Sequence, residues 1–254
     1  MMEVLKIVFE GITASFRYPH FTWGRQPTFL MPPPSTIYGL ISAAVGEWIA
    51  PDTVRFSYHF VYERKTEDLE HVHALTEGKG TFLYHGEKVP KNIEGKINPL
   101  RREFLYHPQF TLYLDRVDLR SCFLEPRFPL TLGRSQDLLV LNKLQIVELK
   151  QSPHVYWEHT ILPWEFRPYT RMGTSVMMPR YIDTSNQRNA DFQRYIVLQQ
   201  RLFSGNDNEG KILPEHQLLR IAGKEPEEYW YDPDTPLVCD AHRGVLFHSF
   251  AKAD

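Results

Sequence analysis

Cysteine is almost missing from this 254-residue chain: only Cys122 and Cys239 occur, far apart and outside any C-x-x-C pair. That excludes a disulfide scaffold and a cysteine-based zinc framework, and it favours a reducing, cytoplasmic compartment. No apolar run reaches the ~18 residues that a membrane-spanning helix needs, so no membrane partner is expected. The opening MMEVLKIVFEG lacks the basic start and small-residue cleavage site of a secretory leader. A surplus of one charge is missing too: the formal net charge is −2, so the molecule as a whole does not announce a nucleic-acid binder. Nor is there a G-x-S-x-G elbow, an H-E-x-x-H zinc helix or a G-x-x-x-x-G-K-[ST] phosphate loop. The aromatic octapeptide of RNA-recognition sheets is likewise absent. No catalytic residue and no cofactor are therefore expected, and binding across such a sheet face is not indicated.

Aromatic residues and proline are plentiful. With 16 Phe, 13 Tyr, 5 Trp and 19 Pro, many turns and few long helices are expected. Residues 3–11 alternate as a strand, with Leu5, Ile7 and Phe9 on one side. After an aromatic, proline-rich loop, Ser35 reads as an N-cap. It is followed by Ile37, Leu40, Ile41, Ala44, Val45 and Trp48 at helical spacing to about Ile49, ahead of Pro51. Tyr38 and Trp48 are assigned to the core. Residues 53–63 alternate again, 109–118 and 144–151 are candidate strands, and 192–203 fits strand or helix. The closing GVLFHSF suggests a last strand. Strands joined through a helix suit an α+β sheet with helical cover on one face.

About 45 polar residues interrupt this pattern before residue 109. A structureless insertion of that length in a compact domain is suspect, and Gly80–Tyr84 and Glu87–Val89 flank His85-Gly86 as a hairpin would. The segment therefore reads as a projecting hairpin. It is also locally basic. Between Gly78 and Arg102, six bases (Lys79, Lys88, Lys91, Lys96, Arg101, Arg102) face two acids, whereas Gly205–Asp240 holds nine acids and three bases. Lysines and arginines neutralise phosphates, and Phe82, Tyr84 and His85 are able to stack on unpaired bases. The plain alternative is a solvated loop, the usual meaning of a charged run.

Three further places carry residues of the same chemistry. Gly133-Arg134-Ser135 suits phosphate, because glycine admits close approach, arginine bonds bidentately and serine adds a hydroxyl; an ordinary turn has the same composition. Arg17, in Ser15-Phe16-Arg17-Tyr18, is as well suited to fixing its loop as to touching RNA. His71-x-His73 has metal-ligand spacing on a strand but no second ligand cluster, so no metal site is expected.

Three stretches in order, ASFRYP (14–19) with TFLMPPPSTIYGLISAAVGE (28–47), RREFLYHPQFTLYL (101–114) and FPLTLGRS (128–135), resemble the handle-binding subunit family of CRISPR Cascade complexes. This is the fifth Cas family, of the RAMP type, and the pattern is most similar to type I-B members. The resemblance covers much of residues 4–136; beyond that only RGVLFHSF (243–250) is similar. It implies a ferredoxin-like domain over 1–152 with a thumb inserted at about 64–109, and a smaller β-rich part over 153–254. It also implies a non-catalytic subunit that caps the 5′ handle of the guide RNA. Its neighbours would be the backbone and large subunits, with target DNA reached through the complex. The RNA-binding set would be Arg17, Lys79, Phe82, Tyr84, Lys88, Lys91, Lys96, Arg101, Arg102, Gly133, Arg134 and Ser135.

A competing reading is a metal-independent endoribonuclease, since some relatives cut precursor RNA with tyrosine, lysine and histidine. Tyr38, Tyr106 and His107 supply such groups, but the adjacent Lys-His pair those relatives use is absent. A third reading is a scaffold with exposed aromatics.

Overall fold

The computed structural model describes residues 1–21, 24–204, 218–219 and 228–251. In chain order the elements are β1 (Met2–Gly11), β2 (Thr13–Ala14), β3 (Arg25–Gln26), α1 (Pro34–Val45), β4 (Arg55–Val61) and β5 (Arg64–Glu77). There follow β6 (Thr81–Tyr84), β7 (Glu87–Pro90), β8 (Ile93–Tyr106), β9 (Gln109–Leu114), α2 (Arg120–Leu124) and β10 (Leu139–Ser152). The remainder is β-rich: β11 (Val155–Trp157), β12 (Thr160–Pro163), β13 (Thr174–Asp183), β14 (Asn189–Leu198), β15 (Leu202–Ser204), β16 (Leu218–Leu219), β17 (Tyr229–Tyr231), β18 (His242–Arg243) and β19 (His248–Ser249).

The main sheet runs β17-β10-β1-β9-β4-β19 with antiparallel neighbours throughout. Its four central strands, taken in chain order as β1, β4, β9 and β10, stand in the spatial order fourth, first, third, second. A helical crossover follows the first strand and another follows the third. That is the ferredoxin-like α+β arrangement, with a β-ribbon inserted between its second and third strands. One face is apolar because the period-two pattern puts Leu5, Ile7, Phe9, Phe56, Tyr58, Phe60, Phe110, Leu112 and Leu114 on the same side, all at most 2% exposed. Ile37, Tyr38, Leu40 and Ile41 of α1 pack against them.

Two details of α1 depart from the sequence reading. The helix starts at Pro34 rather than after a Ser35 cap; Pro33 flanks it with no side-chain cap, and proline suits the first helical position because its missing N–H is unneeded there. It ends at Gly46, whose φ of 96° is left-handed and whose N–H donates to Ser42 O at 2.8 Å. Trp48 consequently lies beyond the helix, and it is 57% exposed, stacked on Tyr38, not core.

The segment 192–203 is extended, as β14 and β15. The strand expected over 109–118 stops at Leu114 and gives way to a helical turn at Val117–Leu119, while the closing strand is only His248–Ser249, paired to β4. Ile161, Met178, Tyr195 and Val197 join the same core as the sheet and α1, so the parts before and after residue 152 share one hydrophobic interior. On the opposite face, Asp232, fully buried, pairs with Lys6 and accepts from Tyr113 Oη at 2.7 Å, pinning the late chain to the sheet. No helix among the described residues is long and apolar enough to cross a membrane.

Candidate nucleic-acid interface

The insertion is a two-stranded ribbon. β5 and β8 pair without interruption from Arg64↔Tyr106 to Glu77↔Ile93, fourteen residues on each side. At 3.4 Å per residue that is about 47 Å of strand. The register then shifts by one residue around Gly78 and Asn92, and β6 and β7 form the tip. His85 (φ 48°) and Gly86 (φ 88°) both occupy the left-handed region, the conformation of a type I′ turn, whose twist matches the strands it joins. Leu105, Glu103 and Leu100 are buried at the base, but nearly every side chain beyond them is exposed.

At the tip the proposed aromatic residues come together. Phe82 and Tyr84 share one face, with centroids 6.4 Å apart, and Tyr84 meets His85 at 4.4 Å edge to face. Both are substantially exposed, at 45% and 59%. Lys79, Lys88, Lys91 and Lys96 are exposed along the same outer half of the ribbon. Among the described residues, none of these lysines has a side-chain ion pair or hydrogen bond, and neither do Arg17 and Arg101. These six charges remain available to an incoming anion.

Arg102 and Arg134 differ. Glu70, on β5, pairs with Arg102 at 2.6 Å and with Arg134 at 2.7 Å. Arg134 also meets Asp137, fully buried, at 2.8 Å, and Asp137 accepts from the Arg134 backbone N–H and from Thr13 Oγ1. Two cations and two anions thus cancel in a largely buried knot at the thumb base. Gly133 has a packing reason for its identity: φ is +114°, and a Cβ there would lie 2.3 Å from Ser15 O. Ser135 is exposed. Beside this turn, Ser35, Thr36, Thr131, Gly133 and Arg188 line a cleft of about 340 Å³ against the first turn of α1, where the helix dipole favours negative charge.

A second knot holds the other side of the thumb base. Glu103 accepts from Lys65 at 3.1 Å and from Arg25 at 3.0 Å, and Arg25 also pairs with Glu67. Burial alone would raise the Glu103 pKa; hydrogen bonds from Lys65 and the Thr28 N–H and the nearby positive charges outweigh it, holding the carboxyl below its usual range. These acceptors, Glu70, Glu103 and Asp137, were missed in the sequence. Only the three-residue spacing of Arg134 and Asp137 in a turn hinted at one of them.

For the ribonuclease reading, Tyr38 is buried, its hydroxyl donates to Ile49 O at 2.6 Å, and burial pushes its pKa to about 12. Tyr106 and His107 do adjoin, stacked at 4.6 Å, and His107 Nδ1 lies 2.9 Å from Glu63. His71 and His73 are exposed on one face of β5, and no group of three potential metal ligands occurs among the described residues. Most of the acidic Gly205–Asp240 stretch lies outside the described residues.

No family model matches the chain, and no curated protein matches it. Several solved structures do. A chain of a CRISPR RNA-guided surveillance complex is 15% identical over 79% of this chain and 91% of its own length, with a TM-score of 0.47. A CRISPR protein from Archaeoglobus fulgidus is 10% identical, over 81% and 93%, at 0.42. A chain of the type III-B Cmr-beta complex bound to cognate target RNA is 11% identical, over 79% and 86%, at 0.40. The structural neighbours are thus CRISPR proteins, at low identity and low TM-score. The fold assignment rests on strand order, and the functional reading rests on the thumb.

Proposed function

We propose that this chain is a non-catalytic, RNA-binding subunit of a CRISPR Cascade-type effector complex, and that its thumb and adjoining loops cap the 5′ handle of the guide RNA. One observation carries the reading: a ribbon of about 47 Å leaves the body from two ion-pair knots at its root, and on its outer half Lys79, Lys88, Lys91 and Lys96 stand exposed and unpaired, outnumbering Glu77, Glu87 and Glu94 there. Uncommitted cations beside exposed aromatic rings suit single-stranded RNA, which offers phosphates and splayed bases together. The order of the ASFRYP, RREFLYHPQFTLYL and FPLTLGRS stretches supports the same assignment. The exposed aliphatic side chains of Leu69, Leu75, Ile93 and Ile97, all on one face of the ribbon, suit contact with neighbouring protein subunits in such a complex.

Binding of the full chain to a labelled single-stranded guide 5′ segment tests this, against duplex RNA and heparin as competitors. Preference for the single strand is expected; equal affinity for heparin would turn the reading toward a general scaffold. A denaturing gel of precursor RNA incubated with the protein in EDTA tests the non-catalytic part. Intact RNA is expected, and discrete cleavage lost in His107→Ala would reverse it.

A further inference from the structure

The loop before α1 builds an aromatic column that the thumb does not account for. Residues 16–18 and 27–29 lie against each other: Phe29 N–H donates to Phe16 O at 2.9 Å, Arg17 bridges Thr28, and Tyr18 N–H donates to Pro27 O. At the bottom of the fold, Phe29 is 1% exposed, in the core. Tyr18 stacks on it with centroids 3.7 Å apart and planes 30° apart. Phe21 and His20 then meet Tyr18 at 6.1 and 6.2 Å and each other at 6.1 Å. The column thus climbs from the core to solvent, where Phe21 is 48% exposed and His20 is exposed.

Its position matters as much as its rings. Three residues beyond Phe21, Gly24 O accepts from the Arg101 N–H at 2.9 Å, and Arg25 pairs with Arg101 in parallel. The Tyr18 pKa is raised by burial first and then by the negative charge of Glu103. The loop therefore leans on the root of the thumb, with the uncommitted guanidinium of Arg17 within its own fold and that of Arg101 on the strand it touches. A solitary exposed phenylalanine would mean nothing. A ring propped by two others down to the core has already lost its freedom, so stacking a ligand on it costs little entropy. A flat, pre-ordered apolar ring with free cations nearby is what an unstacked base and its phosphate require.

We infer that Phe21, braced by Tyr18 and His20, is a stacking platform for one splayed base of a single-stranded RNA, whose backbone is held by Arg17 and Arg101. The inference rests on the RNA-binding reading above and adds a second contact at the root of the thumb, remote from the lysines of its tip.

The test uses the full chain and guide 5′ oligonucleotides carrying 2-aminopurine at one position at a time. Fluorescence at one position should be quenched on binding. Phe21→Ala should abolish that quenching and weaken binding by about tenfold with the same salt dependence, because no charge is lost. Phe21→Trp should keep both, and thermal unfolding of Phe21→Ala should match the parent. If the parent binds RNA while Phe21→Ala binds with equal affinity and equal quenching, the platform is wrong and the thumb reading stands. If the parent binds no RNA, both fall. Weakened RNA binding by Phe21→Ala at a lowered melting temperature, unrepaired by Phe21→Trp, would reassign the column to loop stability and also overturn the platform.

Discussion

Replacing Lys88, Lys91 and Lys96 together with alanine should weaken RNA binding in a way that shows in its salt dependence. All three are exposed and carry no ion pair, so each is free to displace counterions from a phosphate. For single strands, each neutralised phosphate contributes about 0.7 to the slope of log affinity against log salt, so losing three should lower the slope by about 2. Over a fourfold rise from about 50 to about 200 mM salt, the parent should therefore lose about 20-fold more affinity than the variant does. Fluorescence anisotropy titrations at four or five salt concentrations measure both slopes. Arg134→Ala is the contrasting case, because its guanidinium already serves Asp137 and Glu70. Removing it strands a buried carboxylate at a cost of about 3–5 kcal/mol, so it should lower thermal stability and leave the slope of the folded fraction unchanged. An unchanged slope in the triple variant would refute the argument from free cations, as would a large slope change in Arg134→Ala.

Three more outcomes follow from the packing. Gly133→Ala must hold φ near +114° with its Cβ against Ser15 O, so a loss of about 2 kcal/mol or more in chemical denaturation is expected; an unaffected midpoint would show that the turn relaxes freely. Asp232→Ala leaves Lys6 without its acceptor on the sheet and should cost about 3–5 kcal/mol, which a Lys6→Met, Asp232→Leu double variant should restore only in part, because the Tyr113 hydroxyl and the Asp234 N–H still lose their acceptor. Acid should destabilise the fold through buried histidines: His59 is pushed down to about 3, by burial first and then by Arg243 and His159, and His248 to about 4, by burial. Their folded pKa values lie below the unfolded one, so the unfolded chain binds the extra protons. Stability is complete above about pH 6.5 and falls as pH drops toward the folded values, by about 2 kcal/mol for each histidine at pH 5. Urea denaturation between pH 7.5 and 5 that showed no loss would contradict this placement.

Much of the fold was legible because period-two alternation in 3–11 and 53–63 marks strands with one buried face, and α1 carries a helical stripe. The helix ends were misread for local reasons. Ser35 looks like a cap, but Pro34 takes the first helical position, and Gly46 stops the helix before the apolar run reaches Trp48. The projecting hairpin could be read from His85-Gly86 between two alternating runs. Its unbroken length was less evident, because β5 and β8 outside the base are solvated on both faces, and their few aliphatic residues on one face are interrupted by His71, His73 and Gly95. Charge partners were invisible for the same kind of reason. Nothing in the local sequence says that Glu70 is shared by Arg102 and Arg134, since the three meet only when the thumb root folds over the 133–137 turn. Arginines that look equivalent to the lysines in composition are thereby divided into paired and free. Several C-terminal strands were obscure because β11, β15, β17, β18 and β19 have only two or three residues each and pair with strands distant in sequence.

The most direct measurement places a photo-activatable cross-linking side chain at Phe82, on the tip of the thumb, in the chain expressed together with its genomic neighbours. After irradiation, the tagged protein should carry a guide-length RNA cross-linked within its first nucleotides, and the same group at Trp48, exposed just past the C-terminal end of α1 and outside the ribbon, should capture none. Cross-links from Phe82 only to protein, or to no macromolecule while another polypeptide holds the RNA 5′ end, would contradict the assignment.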